Sequence, residues 1–208
     1  MSNLAYNLYD NRLREMINGK IINMAPLPLE HHATTNFNLA VIFGNYLKGR
    51  KCRAYNDNMY VRLDKMDIDL KKLSVPIDKK ISRLVPDIMV VCNPDIIKSD
   101  GIYGAPELVV EVLSKSTSEN DRGIKKEIYE AIGVKEYWIV DTNNFSVEVY
   151  LLKDAKYTLD KIYTFYTDEE KNMLIEEGEK KEGDFIKEFK TSIFDDLIIS
   201  LEDIFEKI

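Results

Sequence analysis

The stretch APELVVEVLSKSTSENDRGIKKEIYEAIGVKEYWIVD, residues Ala105–Asp141, decides the fold. Its segment Leu108–Leu113 is β-branched and almost wholly apolar, which is typical of a strand covered on both faces. Segment Asp121–Ile132 has apolar residues at helical spacing, and Gly133 then ends the pattern as a glycine ends a helix. The next segment, Glu136–Val140, is again strand-like. Strand, helix and strand in this order predict two parallel strands joined by the helix, and therefore an α/β fold.

Glu111 interrupts the first apolar strand with a carboxylate. Strand alternation puts it on the same face as Val109. Burying an unpaired carboxylate costs roughly several kcal/mol, so the fold must give Glu111 a partner, a metal ion or a raised pKa. The following helix carries Asp121, Lys125 and Tyr129 at successive steps of four residues, which places them in one row. We predict that this row faces the end of the strand.

A second acid opens the preceding strand. Pro86-Asp87 stands just before Ile88–Val91, where a proline is tolerated because it begins the strand. Alone, Asp87 fits an ordinary turn aspartate. With Glu111 buried in the next strand, however, two carboxylates can surround one hard cation, and Mg²⁺ needs few protein oxygens. The pair predicts a hydrolytic metal site of the phosphodiesterase kind.

The rest of the chain supports one compact unit. With 208 residues and 45% hydrophobic residues, the chain suits a single domain over residues 1–208. Asn18-Gly19 predicts a hairpin, and Leu29–Leu47 predicts a helix with His31 and His32 in its first turn. These adjacent histidines point about 100° apart on a helix, so they are a poor metal-binding pair. A strand is expected over Ala54–Leu63, followed by a flexible, charged segment, residues 64–83.

The cysteines and the hydropathy indicate the redox state of the thiols and the location of the protein. Cys52 and Cys92 are far apart and form no CxxC arrangement, so we expect free thiols. No apolar run approaches the roughly 18 residues of a membrane span, and the N-terminus lacks the apolar region of a signal peptide. We therefore expect a cytoplasmic protein with no membrane contact.

The charge is unevenly distributed. The net charge of −7 argues against a general nucleic-acid coat protein. Residues Lys48–Arg83 nevertheless contain eleven basic and five acidic residues, a local charge of +6 that leaves −13 for the rest of the chain. A solvated surface and a polyanion-facing edge explain this segment equally well.

Several motifs resemble those of a known family. Pro86-Asp87 and Glu111 match the first elements of the PD-(D/E)XK nuclease superfamily motif. Within it the chain looks like the Uma-two family of restriction-endonuclease-like proteins. The resemblance covers nearly the whole chain through five blocks in order: REMINGKIINMAPLPLEH, VPDIMVV with PELVVEVLS, DRGIKKEIY, GVKEYWIVD and LEDIF.

This resemblance implies a restriction-endonuclease-like mixed central sheet flanked by helices. It implies an Mg²⁺-dependent endodeoxyribonuclease, in which Mn²⁺ can substitute and DNA is the substrate. Asp87, Glu111 and the main-chain carbonyl of Val112 would hold the metal. The segment Lys48–Arg83 would be a DNA contact, and a homodimer is left open.

The superfamily's lysine is missing from the strand. Leu113 stands where the motif has lysine, and the resemblance implies that Lys125 on the following helix takes its role. Lys126 should point elsewhere. Tyr129 would assist positioning, although a helix-surface tyrosine explains it as well. The resemblance also gives Glu30 and His31 auxiliary roles.

Two other functions fit the sequence. The chain could be a non-catalytic interaction protein that keeps the nuclease scaffold, with Glu111 and Lys125 as a structural ion pair. It could also be a phosphodiesterase for small substrates, because a fold does not fix the substrate.

Overall fold

The structure, a computed structural model, describes residues 15–22 and 30–207. Its strands are β1 (Met16–Ile17), β2 (Lys20–Ile21), β3 (Arg53–Asn56), β4 (Ile88–Val91), β5 (Ile97–Lys98), β6 (Gly101–Ile102), β7 (Leu108–Val112), β8 (Glu136–Asp141), β9 (Ser146–Lys153), β10 (Lys156–Thr164), β11 (Glu188–Lys190) and β12 (Ile198–Ser200). Its α-helices are α1 (Glu30–Leu47), α2 (Ser118–Asn120), α3 (Lys126–Ile132), α4 (Asp168–Glu176) and α5 (Leu201–Phe205).

A six-stranded mixed sheet forms the centre of the molecule, in the order β10-β9-β8-β7-β4-β3. Strands β7 and β8 are parallel, and every other neighbouring pair in this sheet is antiparallel. The predicted mixed α/β sheet is confirmed, as is the pairing of the Leu108 strand with the Ile88 strand. The helical connection between β7 and β8 makes the parallel pair possible, because parallel strands need a crossover.

The two faces of the sheet are covered by different elements. Alternate residues of β7 divide as predicted: Val110 packs on the face covered by α1 and α5, whereas Val109 packs on the face covered by α3. All residues of β7 and β8 are buried. Their near-continuous apolar sequences therefore reflect burial on both faces.

The connection between β7 and β8 is less regular than its sequence predicts. The helix begins at Ser118 rather than at Asp121, and a π-helical turn over Asp121–Lys125 separates α2 from α3. Gly123 has non-helical backbone angles within this turn. The predicted end is confirmed, because Gly133 has a φ of 91° and caps α3 in the left-handed conformation.

The segment after β3 corrects two predictions. The strand ends at Asn56, not at Leu63, because Val61 makes only isolated bridges. Residues 64–83 are ordered and not flexible. The segment has a short 3₁₀ turn near each end, Leu63–Lys65 and Lys79–Ile81, and packs against the face of the sheet covered by α3. Three of its apolar side chains are buried there, namely Met66, Leu70 and Ile77.

The cysteines are also not free. Cys52 and Cys92 form a disulfide. Arg53 pairs with Val91 in the antiparallel β3–β4 register, so the next pair outward is Cys52 and Cys92. The sequence separation of 40 hides this contact, because only the register of the two strands brings the thiols together.

The hairpin at Asn18-Gly19 is confirmed and is docked onto the body of the protein. Both turn residues have positive φ, as the type of turn that suits this pair requires. Met16 N–H donates to the Arg83 carbonyl, and Gly19 N–H donates to the Ile81 carbonyl. This docking fixes the chain at Glu15, immediately before β1.

Two further expectations concern the whole chain. None of the helices in the described part of the chain is long and apolar enough to cross a membrane. The single domain over residues 1–208 and the cytoplasmic location stay predictions.

Candidate functional site

Asp87 and Glu111 face each other at the end of two neighbouring strands. In the antiparallel β4–β7 register, Ile88 lies opposite Val110, so the next pair is Asp87 and Glu111. Directly opposite residues of such strands have Cβ atoms about 5 Å apart on the same face. Asp87 stands just before β4, so this register, continued by one residue, places the predicted pair of carboxylates at the same end of the two strands.

The Asp87 carboxylate is anchored through one of its oxygens. Its Oδ2 accepts a hydrogen bond of 2.7 Å from the Val112 N–H on β7. His32 Nε2, from the first turn of α1, lies 3.6 Å from the same oxygen. Both contacts are to the same oxygen, Oδ2.

Glu111 is anchored in the same one-sided way. Its Oε1 lies 2.7 Å from Lys125 Nζ and accepts a hydrogen bond of 2.7 Å from the Tyr129 hydroxyl. The residue is only 2% exposed. The predicted row of Asp121, Lys125 and Tyr129 thus faces the end of β7, and two of its members hold Glu111.

Lys125 is surrounded by three carboxylates. Besides Glu111, its Nζ lies 2.9 Å from Asp121 Oδ1 and 3.2 Å from Glu15 Oε2. The other oxygen of Glu15 accepts from the Val85 N–H at 3.2 Å. Although Asp121 Oδ1 is close to the ammonium, it is buried and has no hydrogen bond of acceptable geometry. One ammonium therefore faces more acid than it can neutralise.

Burial and charge shift the titration of this cluster. Burial raises the pKa of Glu111 well above its usual value, and the neighbouring carboxylates add to the rise, whereas Lys125 opposes it. Burial also raises the pKa of Glu15. Burial alone would lower the pKa of Lys125, but the charges of Glu111, Glu15 and Asp121 raise it well above its usual value. The ammonium is thus held charged, while Glu111 and Glu15 favour binding a proton or a further cation.

The residues at this site fit a hard cation. Among residues 15–22 and 30–207, no group of three or more His, Cys, Asp and Glu side chains could hold a metal ion. Two carboxylates with one main-chain carbonyl remain, and such an oxygen set suits Mg²⁺, which keeps several waters. Asp87 and Glu111 each have one anchored oxygen and one other oxygen, so the donor set fits the expected group.

The auxiliary residues divide into two groups. Tyr129 is fully buried against Glu111, so it is not a helix-surface tyrosine. Glu30 and His31 are exposed, and His31 Nε2 lies 3.5 Å from Glu30 Oε2. The structure brings neither of them to Asp87. It brings His32 there instead.

Three residues of this region were missed by the sequence reasoning: Glu15, Asp57 and His32. Glu15 and His32 each had a signal in alternation or spacing. Glu15 alternates with the buried Ile17. His32 lies four and seven residues before Asn36 and Leu39, which form the buried stripe of α1.

Asp57 extends the row of acids by one strand. Asn56 pairs with Ile88, so the next pair outward is Asp57 and Asp87. Burial and the charge of Asp87 raise the pKa of Asp57, whereas His32 opposes this rise. The three acids, one just after β3, one just before β4 and one on β7, therefore share one edge of the site.

The basic segment of the sequence divides in the structure. Arg62 pairs with Asp64 and Asp100, and Lys79 Nζ donates to the carbonyls of Met66 and Ile68. Other basic side chains are exposed, namely Lys48, Arg50, Lys51, Arg53, Lys71, Lys72 and Lys80. Three of these, Lys48, Arg50 and Lys51, lie between α1 and β3, and Arg53 begins β3, the edge strand of the sheet.

The chain is similar to known proteins in both sequence and structure. An uncharacterised protein of Synechocystis sp. (strain ATCC 27184 / PCC 6803 / Kazusa) is 29% identical over 126 residues, which are 60% of this chain and 59% of that protein. The chain thus matches about three fifths of its relative's length. A crystal structure from Anabaena variabilis ATCC 29413, described as a putative nuclease belonging to DUF820, has a TM-score of 0.59 and 17% identity. It covers 93% of this chain and 90% of its own, so it shares the fold.

A family model defines the relationship more closely. The model of the Uma2 (Uma-two) family, described as "Putative restriction endonuclease", matches residues 6–178. This range contains the hairpin, both strands with the facing acids and the helix of Lys125. Because the match extends over most of the sequence, the chain belongs to the Uma2 family.

Proposed function

We propose that this protein is a metal-dependent endonuclease that hydrolyses the phosphodiester bonds of DNA, with Mg²⁺ as its cofactor and Mn²⁺ as a substitute. Membership of the Uma2 family and the shared fold of a nuclease-described structure support nuclease chemistry. The observation that carries the proposal is the pair of half-anchored carboxylates. Asp87 lies one residue before the paired part of β4, at the end of β7 that carries Glu111, and each acid is fixed through a single oxygen.

In this proposal Asp87, Glu111 and the Val112 carbonyl bind the cation. Mg²⁺ supplies Lewis-acid chemistry at such a site, since it activates water and offsets the charge of the phosphate. Anchoring one oxygen of each acid keeps the other oxygen in place before the cation arrives. Such preorganisation reduces the ordering that binding would otherwise require.

Lys125 has two tasks in this mechanism. It holds Glu111 at 2.7 Å, and it places a permanent positive charge next to the phosphate that would be attacked. A fixed cation in a buried site stabilises negative charge that develops in the transition state. Tyr129 contributes by donating to Glu111, so it is a positioning residue.

The test compares two aspartates at the two ends of β4. Asp87→Asn should reduce single-turnover cleavage of a DNA duplex in Mg²⁺ or Mn²⁺ by at least about 100-fold and weaken Mn²⁺ binding. Loss of a residue that only supports a metal ligand costs about 10- to 100-fold, and loss of the ligand itself should cost more. Asp95→Asn is the matched control, since Asp95 is exposed just beyond the other end of β4. Cleavage that persists in EDTA, or equal cleavage by the two variants, would refute the proposal.

A second candidate is a non-catalytic interaction protein with a structural Lys125–Glu111 ion pair. The burial of Lys125, which is 3% exposed, favours it. Under this alternative the wild-type protein neither cleaves DNA nor binds Mn²⁺ through Asp87. The same experiment therefore separates the two functions.

A further inference from the structure

The two adjacent histidines of α1 lie in different environments. The His31 side chain is 48% exposed and lies beside Glu30. The His32 side chain is 18% exposed and lies beside Asp87. Successive residues of a helix point about 100° apart, so packing the stripe of Asn36 and Leu39 against the sheet turns His32 inward.

His32 contacts the two strands that carry the proposed metal ligands. Its Nε2 lies 3.6 Å from Asp87 Oδ2, next to the Val112 N–H that donates to the same oxygen. The imidazole therefore lies between the start of α1 and the neighbouring ends of β4 and β7.

We propose that His32 is a positioning residue that commits Oδ2 of Asp87 to the protein and so leaves Oδ1 for a divalent cation. This inference rests on the proposed function. Partners that donate to a metal-ligating carboxylate fix its orientation, and their loss commonly weakens metal binding. His32 has this role because it lies beside Asp87, whereas His31 lies beside Glu30 and does not have it.

The surroundings of Asp87 explain why one donor is insufficient. The terminal torsion of an aspartate is broad, so a single hydrogen bond from Val112 permits the carboxylate to rotate. Asp57 lies in the next position across the sheet and repels Asp87. The His32 imidazole, 3.6 Å from Oδ2, lies on the side of Asp87 towards which the carboxylate would rotate, and so opposes rotation away from Glu111.

The test measures Mn²⁺ binding by electron paramagnetic resonance, which counts free Mn²⁺ without requiring cleavage. His32→Ala should weaken binding by about 10- to 100-fold. His31→Ala is the matched control and should leave binding within about twofold, because its side chain has no contact with Asp87. His32→Gln should recover part of the loss, because its amide can donate to Oδ2 in place of the imidazole.

The outcomes separate this inference from the proposed function. If Asp87→Asn binds Mn²⁺ as tightly as the wild type, both are refuted. If Asp87→Asn loses binding while His32→Ala and His31→Ala bind equally, only the role of His32 is refuted. Tighter binding by His32→Ala would also refute it, because His32 would then compete with the cation. A urea melt of each variant checks folding, and the glutamine variant keeps the test valid if the alanine variant unfolds.

Discussion

At the scale of single residues, the site is defined by an excess of buried acid. Glu15, Glu111 and Asp121 share one ammonium, so loss of one acid leaves Lys125 with two partners. Loss of the ammonium instead leaves three acids uncompensated, and breaking a buried pair in this way costs about 3 to 5 kcal/mol. The two sides of the same ion pair should therefore respond differently to substitution.

Glu111→Gln tests this asymmetry through stability. In EDTA at pH 8 we expect a loss of less than about 1.5 kcal/mol in the free energy of unfolding, because Asp121 and Glu15 still pair with Lys125. Burial raises the pKa of Glu111, so at intermediate pH the folded protein binds a proton that the unfolded chain releases. The stability that this proton gives to the folded state is lost as the pH rises through the raised pKa. Between that raised pKa and the usual value of 4.5, wild-type stability should therefore gain on the variant as the pH falls. Urea melts from pH 8 to pH 5 measure this; a constant difference would contradict it.

Lys125→Ala and Lys126→Ala test the charge at the site. Lys125→Ala should lower single-turnover DNA cleavage by about 10²- to 10³-fold, the range for losing one electrostatic group. Lys126→Ala should change it little, because Lys126 Nζ lies over the Tyr150 ring, 3.5 Å from its centroid, and away from Glu111. Equal rates for the two variants would remove Lys125 from the site.

The residues that were predictable share a local origin. Glu111 is conspicuous within its own strand, and Asp121, Lys125 and Tyr129 follow from helical spacing. Glu15 and His32 reach the site only because a distant hairpin and helix dock there, and Glu15 bonds a residue 70 positions away. Spacing within one element cannot reveal such contacts, since they depend on how separate elements pack.

At the scale of elements, hydrophobic periodicity predicted the regular strands and helices well but did not predict the irregular backbone. Strands β7 and β8 and the end of α3 at Gly133 were identified from pattern. The π-helical turn at Asp121–Lys125 was not, because its residues keep a helical pattern while the backbone at Gly123 departs from it. The 64–83 segment was misjudged because its charges are exposed while its few apolar residues are buried.

Two glycines test the backbone argument with opposite signs. A Cβ at either Gly44 or Gly133 would meet no atom within 4 Å, so neither substitution by alanine causes a steric clash with a neighbouring residue. Gly44→Ala lies inside α1 and should stabilise the protein by about 0.5 to 1 kcal/mol. Gly133→Ala must adopt a φ of 91° and should destabilise it by about 1 to 2 kcal/mol. Urea melts with unchanged slopes measure both, and effects of the same sign would contradict the account.

At the scale of the whole molecule, the proposed function requires that an acidic protein bind a polyanionic substrate. The net charge of −7 opposes DNA binding in general. The free edge at β3 offers an exception, because Lys48, Lys51 and Arg53 are exposed there. Arg53 and Asp57 lie four residues apart along the strand direction, about 13 Å. That distance is about four base-pair steps of a duplex.

A duplex that reaches from the acid pair along this edge would contact those cations. Replacing Lys48, Lys51 and Arg53 together by alanine should weaken DNA binding and reduce the slope of log affinity against log salt by about 2 to 3, because about 0.9 counterions are released per phosphate contact. The matched control replaces Lys153, Lys156 and Lys161, three exposed lysines in β9 and β10 at the opposite side of the sheet. Both triple variants change the net charge equally, so a general charge effect weakens both alike. Fluorescence anisotropy from 50 to 200 mM salt, with Ca²⁺ in place of Mg²⁺, measures binding without relying on cleavage. Equal slopes in the two variants would assign the basic segment to the solvated surface, whereas a change confined to the β3 edge would locate the path of the substrate.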